Sequence, residues 1–110
     1  MSKLVRDHIP HIIRASGRDP LVHVVDGEDR RVALLSKLGE ECSELTAAAP
    51  EDVLDEAADL YEVLLSLLAQ HGHGRLELEL AAAQKRAERG GFEHGVILDA
   101  VSDAAVPVAG

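Results

Sequence analysis

Two long stretches of this chain repeat apolar residues every three or four positions, the spacing of an amphipathic helix. From Glu28 to about Ala48 the stripe is Val32, Leu35, Leu38, Cys42 and Leu45. From Pro50 to His71 it is Val53, Leu60, Val63 or Leu64, and Leu67. Pro50 suits a first helical turn and Gly72 a C-terminal cap, and the acidic opening of the second stretch suits the positive end of a helix dipole. The short connection around Ala49 and Pro50 predicts that the two helices are antiparallel neighbours. A shorter helix is expected over Asp7–Ala15, where Ile9, Ile12 and Ile13 recur, with Asp7 as its cap and Gly17 closing it. Another is expected over Arg75–Arg89, ending at Gly90-Gly91. Residues 21–25, Leu-Val-His-Val-Val, read as a short strand because they are rich in β-branched residues, and residues 95–98 as a second that would pair with it. The expected fold is mainly all-α, an antiparallel helical bundle carrying at most a short peripheral β-hairpin. Residues 1–99 form one domain in this reading, and residues 100–110 a flexible tail.

Composition supports helices. The chain has 110 residues, 46% of them hydrophobic, yet its aromatics are only Tyr61 and Phe92, so its interior must be Leu, Val, Ile and Ala. Cys42 is the single cysteine, which excludes an intramolecular disulfide and a cysteine-based zinc site. With no His or Asn suited to activate it, Cys42 is expected to be buried rather than nucleophilic. The opening MSKLVRDHIP lacks the apolar core of a signal peptide, and no apolar run reaches the roughly 18–20 residues of a membrane span. A cytoplasmic protein without a membrane partner is expected. The net charge of −9 argues against nucleic-acid binding, which needs clustered Lys and Arg.

The distribution of charge changes the picture more than its total. Between Lys37 and Arg75 there is no Lys or Arg, while nine acids occur there: Glu40, Glu41, Glu44, Glu51, Asp52, Asp55, Glu56, Asp59 and Glu62. Glu56 and Asp59 share a helical face with Val63 and Leu67, so this acid pair continues an apolar stripe. Glu41 and Glu44 share a face of the preceding helix, with Glu40 on its flank. Residues at i and i+3 have β-carbons about 5–6 Å apart, so each pair makes a two-carboxylate claw. An unpaired carboxylate facing a core protonates unless a cation or metal compensates it, and no neighbouring Lys or Arg in the sequence is placed to do so. Two facing claws suit a hard cation such as Mg²⁺, with Mn²⁺ the alternative. The plain rival is a solvated acidic face. A di-iron site would need Glu-x-x-His pairs, which are missing here. His71-Gly72-His73 is a weak zinc signal with exposure as its simpler reading, and His8, His11, His23 and His94 show no ligand spacing. No Gly-rich phosphate loop is present.

The ordered set Glu40-Glu41-x-x-Glu44 followed by Glu56-x-x-Asp59 resembles the signature of the MazG-like all-α nucleoside triphosphate pyrophosphohydrolases. Residues 37–48 and the Glu56-Ala-Ala-Asp59-Leu run also look like phosphoribosyl-ATP pyrophosphohydrolase of histidine biosynthesis. The flanks, Lys3-Leu-Val-Arg6-Asp7-x-Ile9-Pro10 and Lys85-Arg-Ala-Glu-Arg89-Gly-Gly-Phe92, resemble the house-cleaning members more closely. The resemblance implies Mg²⁺ on Glu41, Glu44, Glu56 and Asp59, with Glu40 orienting water. It implies hydrolysis of a nucleotide between its α and β phosphates, giving a monophosphate and pyrophosphate, with Glu40 or Glu41 taking the proton of the attacking water. It also implies a homodimer or a dimer of dimers. Positive groups to meet the phosphates would be Lys37, Lys85, Arg86 and Arg89, with Lys3 and Arg6 helping to close the nucleotide site. Tyr61 and Phe92 serve equally as base-stacking rings or as core. Two alternatives stand beside this expectation: phosphoribosyl-ATP as the substrate, and a non-catalytic helical dimerisation or regulatory module that keeps the acid motif.

Overall fold

The computed structural model describes residues 2–103, and within them every regular element is helical. Helix α1 spans Ile9–Ala15, α2 Gly27–Ala47, α3 Val53–Gln70 and α4 Arg75–Arg89, with a single 3-10 turn at Pro50–Asp52 leading into α3. Contacts divide the chain into two compact units, Met1–Leu78 and Glu79–Gly110.

The first unit is organised by α2 and α3, which pack on each other. Ala48 and Ala49 are extended at ψ 140° and 154°, because the ring of Pro50 disfavours helical backbone in the residue before it. This breaks the helix and reverses the chain within a few residues. At the far end, Gln70 Nε2 at the close of α3 donates to the Gly27 carbonyl at the start of α2 (2.5 Å), which fixes the antiparallel pairing. Gly72, at φ +82°, adopts the left-handed backbone that ends α3. Its N–H donates to Ala69 O and that of His73 to Leu68 O, the paired bonds of a Schellman cap. Helix α1 ends in the same way, with Gly17 and Arg18 donating to Arg14 O and Ile13 O. Its N-cap, however, is His8, and Asp7 makes no capping bond.

The inward stripe of α2 shares Leu38 and Leu45 with the expected one but not its other members. Leu34 is its most buried residue, 5% exposed, and Leu38, Glu41 and Leu45 continue that line one turn at a time. Val32, Leu35 and Cys42 lie on another side of the helix and are exposed, so the expected burial of Cys42 is corrected. On α3 the inward stripe is the expected one from Glu56 onward, with Val63 buried and Glu56, Asp59, Leu60 and Leu67 half-buried, whereas Val53, expected on it, is exposed. Tyr61 is exposed.

Residues 21–25 and 95–98 form no strand, which corrects the expected hairpin. β-branched residues favour strands only where a neighbouring strand satisfies their backbone, and among the described residues no ladder partner is present. Leu21, Val24, Val96, Ile97 and Leu98 are largely solvent-exposed. Residues 100–103 carry no helix or strand, and the remainder of the expected tail lies outside the described residues.

In the second unit, α4 finishes with Arg86 and Arg89 in its last turn, where cations complement the helix dipole, and Gly90 at φ +81° closes it. Arg86 Nη1 pairs with Glu93 (3.0 Å) across that turn.

With so small a core, truncating its centre should be costly. Leu34→Ala is expected to lower unfolding free energy by about 2–4 kcal/mol, read from urea denaturation followed by helical circular dichroism.

Candidate metal centre

The α2–α3 seam brings carboxylates from both helices together. Glu41 of α2 with Glu56 and Asp59 of α3 each offer an oxygen, all within 4.8 Å of one another, the one such group of ligand-type side chains among the described residues. Glu41 continues the Leu34–Leu38 line and is only 7% exposed, while Glu56 and Asp59 are half-buried. Glu44, one turn beyond Glu41, is exposed and stands outside the trio, yet close enough to act on Glu56 through its charge.

The expectation that no basic residue compensates these acids is corrected. Lys37, one turn before Glu41 on α2, places its ammonium 3.1 Å from Glu40 Oε1 and 3.2 Å from Glu41 Oε1. Its side chain is 15% exposed. Burial works against its charged form, but the bonds to Glu40 and Glu41 outweigh that, and its pKa is raised above the ordinary lysine value. Arg6, 53 residues away in sequence, donates from Nη2 to Asp59 Oδ1 at 2.7 Å. Lys3 Nζ lies 3.9 Å from Glu40 Oε1. The N-terminal segment therefore lies on the carboxylate face of the helix pair.

Compensation remains incomplete. The acids Glu40, Glu41, Glu44, Glu56 and Asp59, with Asp52 also acting on Glu56, outnumber the cations Lys3, Arg6 and Lys37. Glu56 carries the consequence. Desolvation, followed by the fields of Glu44, Asp59 and Glu41, holds its pKa above the usual carboxylate range. An all-oxygen donor set with surplus negative charge fits a hard cation.

Lys85, Arg86 and Arg89 line a cleft of about 480 Å³ at the end of α4, together with Gly90, Gly91 and Phe92. Phe92 is 98% exposed and belongs to no core. His73 Nδ1 lies 2.9 Å from Glu77, and both are exposed, in keeping with the simpler reading of the His71-Gly72-His73 run. Sequence reasoning assigned Lys37 and Arg6 to phosphate and missed their pairing with carboxylates. The i,i+4 spacing of Lys37 and Glu41 was a usable signal for one of them.

No protein-family model matches the chain, and no solved structure matches it. A curated protein of Mycolicibacterium smegmatis (strain ATCC 700084 / mc(2)155), described as "Uncharacterized protein", is 48% identical over 52 residues. The match covers 47% of this chain and 53% of that protein, so it spans about half the length of each.

The state of Glu56 sets a pH dependence. Its folded pKa is raised, so the folded chain holds this proton more tightly than the unfolded chain does. Stability therefore falls as pH rises from the ordinary value of 4.5 through the higher folded one. In chelator, Glu56→Gln is expected to have a higher melting temperature than the parent at pH 7, and the gap should close below pH 4.5. Thermal melts across pH 4–7 measure both.

Proposed function

We propose that the chain hydrolyses a nucleotide between its α and β phosphates with the help of a divalent cation, in the manner of the MazG-like superfamily it resembles. The observation that carries this reading is the trio Glu41, Glu56 and Asp59 converging from two helices with uncompensated charge. These residues would hold Mg²⁺, or Mn²⁺, with Glu44 beside them. When bound, such an ion neutralises phosphate charge and makes a coordinated water more acidic.

The remaining work falls to the chain's own groups. Glu40 stands outside the trio, held through Oε1 by Lys37 and Lys3, which leaves its other oxygen to orient water and take its proton. The water oxygen bonds to the α phosphorus, the bridge to the β phosphate breaks, and pyrophosphate departs with the bridging oxygen. In this reading Lys3 and Arg6, on the same face, would meet phosphate oxygens, and the resemblance adds Lys85, Arg86 and Arg89 as phosphate-binding groups.

The reading includes a second copy of the chain. Beyond its polar side of Asp55, Glu62 and Ser66, helix α3 carries apolar residues on a second face, with Leu54 (79% exposed) and Tyr61 turned from the α2 seam, and α2 presents Val32 and Leu35 outward. A helix with apolar residues on two sides is normally covered on both. Leu54→Glu is expected to shift a dimer toward monomer in sedimentation velocity.

One observation favours the non-catalytic module: Lys37 and Arg6 already neutralise two of the trio without any ion. Pyrophosphate release from a panel of nucleoside triphosphates and phosphoribosyl-ATP, with Mg²⁺ and with chelator, separates the readings. Mg²⁺-dependent release is expected, falling at least about 100-fold in Glu41→Gln and Glu56→Gln. Mg²⁺ at 100 times its Kd should also stabilise the parent by about 2.7 kcal/mol and leave these variants unmoved. No release from any substrate, with no stabilisation by Mg²⁺, would favour the module.

A further inference from the structure

We infer that Arg6 is an exchangeable internal counter-cation, resting on Asp59 while the carboxylate trio lacks a divalent ion and leaving it when one binds. This rests on the divalent-cation reading above. The three cations that meet the carboxylates are not equivalent. Lys37 is carried on α2 itself, its side chain 15% exposed and shared between two acids. Arg6 reaches Asp59 through one guanidinium nitrogen, and both side chains are open to solvent, 55% and 44% exposed. The segment bearing Arg6 has no helix or strand before Ile9. Its Leu4, Val5 and Ile9 are half-buried, while the Arg6 side chain is about half-exposed and meets Asp59. Arg6 can therefore leave Asp59 by rotating about its own side-chain bonds, whereas Lys37 would leave the Glu41 carboxylate buried and unpaired.

Competition for one carboxylate gives the direction. Charge alone would admit a dication with Arg6 still in place, since the acids around the trio outnumber the cations even with Arg6 counted. A dication arriving at Asp59, however, meets the guanidinium on the same carboxylate and repels it. Arg6 is thus a competitor of the ion for Asp59. It is not a brace that holds the carboxylate ready, and the two roles have opposite signs on metal affinity. Because the pair is exposed, its competition is modest and screened by salt.

The test is a Mn²⁺ titration of the full chain followed by electron paramagnetic resonance, comparing the parent with Arg6→Ala, Arg6→Gln, Arg6→Lys and Glu41→Gln. Arg6→Ala and Arg6→Gln are expected to bind Mn²⁺ about two- to fivefold more tightly at low salt, the gain shrinking at high salt, with Arg6→Lys close to the parent. If Arg6→Ala loses helical circular dichroism, Arg6→Gln decides. Equal or weaker Mn²⁺ binding by the folded Arg6 variants, beside a parent whose binding is abolished by Glu41→Gln, would overturn the exchange and leave the metal reading standing. A parent and Arg6→Gln that both fail to bind Mn²⁺ would overturn the metal reading itself.

Discussion

The burial of Glu41 in the seam between α2 and α3 is the constraint on which the rest of the first unit depends. A carboxylate at 7% exposure has lost most of its water, and in a helix pair with few other buried residues it sits where another leucine would be expected. It is tolerated because Lys37, on the same helix one turn earlier, arrives at 3.2 Å with an ammonium that is itself sheltered. The order Lys then Glu at i,i+4 is the weaker orientation for an isolated helix. Its retention here follows from tertiary packing, which brings both side chains out of solvent. Removing Lys37 would leave the Glu41 charge buried and unpaired, a larger effect than the pair's own net contribution, whereas Lys37 keeps Glu40 when Glu41 is removed.

A polar group at the centre of the seam limits what apolar packing can supply. Only Leu34 and Val63 are buried hydrophobic residues among those described, and a domain of this size already buries a smaller share of its surface than a larger one. The outward apolar residues of α2 and α3 are the other half of the same fact. Leu54 and Tyr61 extend the apolar character of α3 around its axis, so the single chain covers one side of that helix and leaves these two residues exposed. The proposed second copy and the sparse core are thus two expressions of one deficit.

Much of the helical layout was legible in the sequence because its signals are local. Periodicity, Pro50 and the left-handed glycines Gly17, Gly72 and Gly90 act within a turn or two, and the helices fall within a few residues of their expected bounds. On α3 the face carrying Glu56, Asp59, Val63 and Leu67 is read correctly, since acids and apolar residues share one stripe. On α2 two stripes compete, and periodicity cannot tell which faces the neighbour. Val32, Leu35 and Cys42 make an acceptable stripe, but Leu34, Leu38, Glu41 and Leu45 is the buried one. The hairpin failed for a related reason: residues 21–25 have strand-like composition, but a strand exists only with a partner, and composition carries no information about one. Arg6 was out of reach altogether, because its bond to Asp59 crosses 53 residues.

The trio draws its members from both long helices, and this ties any ligand to the fold. Under the proposed reading an ion on Glu41, Glu56 and Asp59 would cross-link α2 to α3 at the position where their seam is least hydrophobic. The unfolded chain has no such site, so binding free energy adds directly to stability. The same ion would offset the desolvation, and relieve the repulsion, that together raise the Glu56 pKa in the metal-free chain. The carboxylates that weaken the helix pair when they face only Lys37 and Arg6 would then hold it together. A small core with a charged seam is therefore consistent with a fold whose full stability is reached in the ligand-bound state, and the weakness of its apolar packing and the surplus of its acids need no separate explanations.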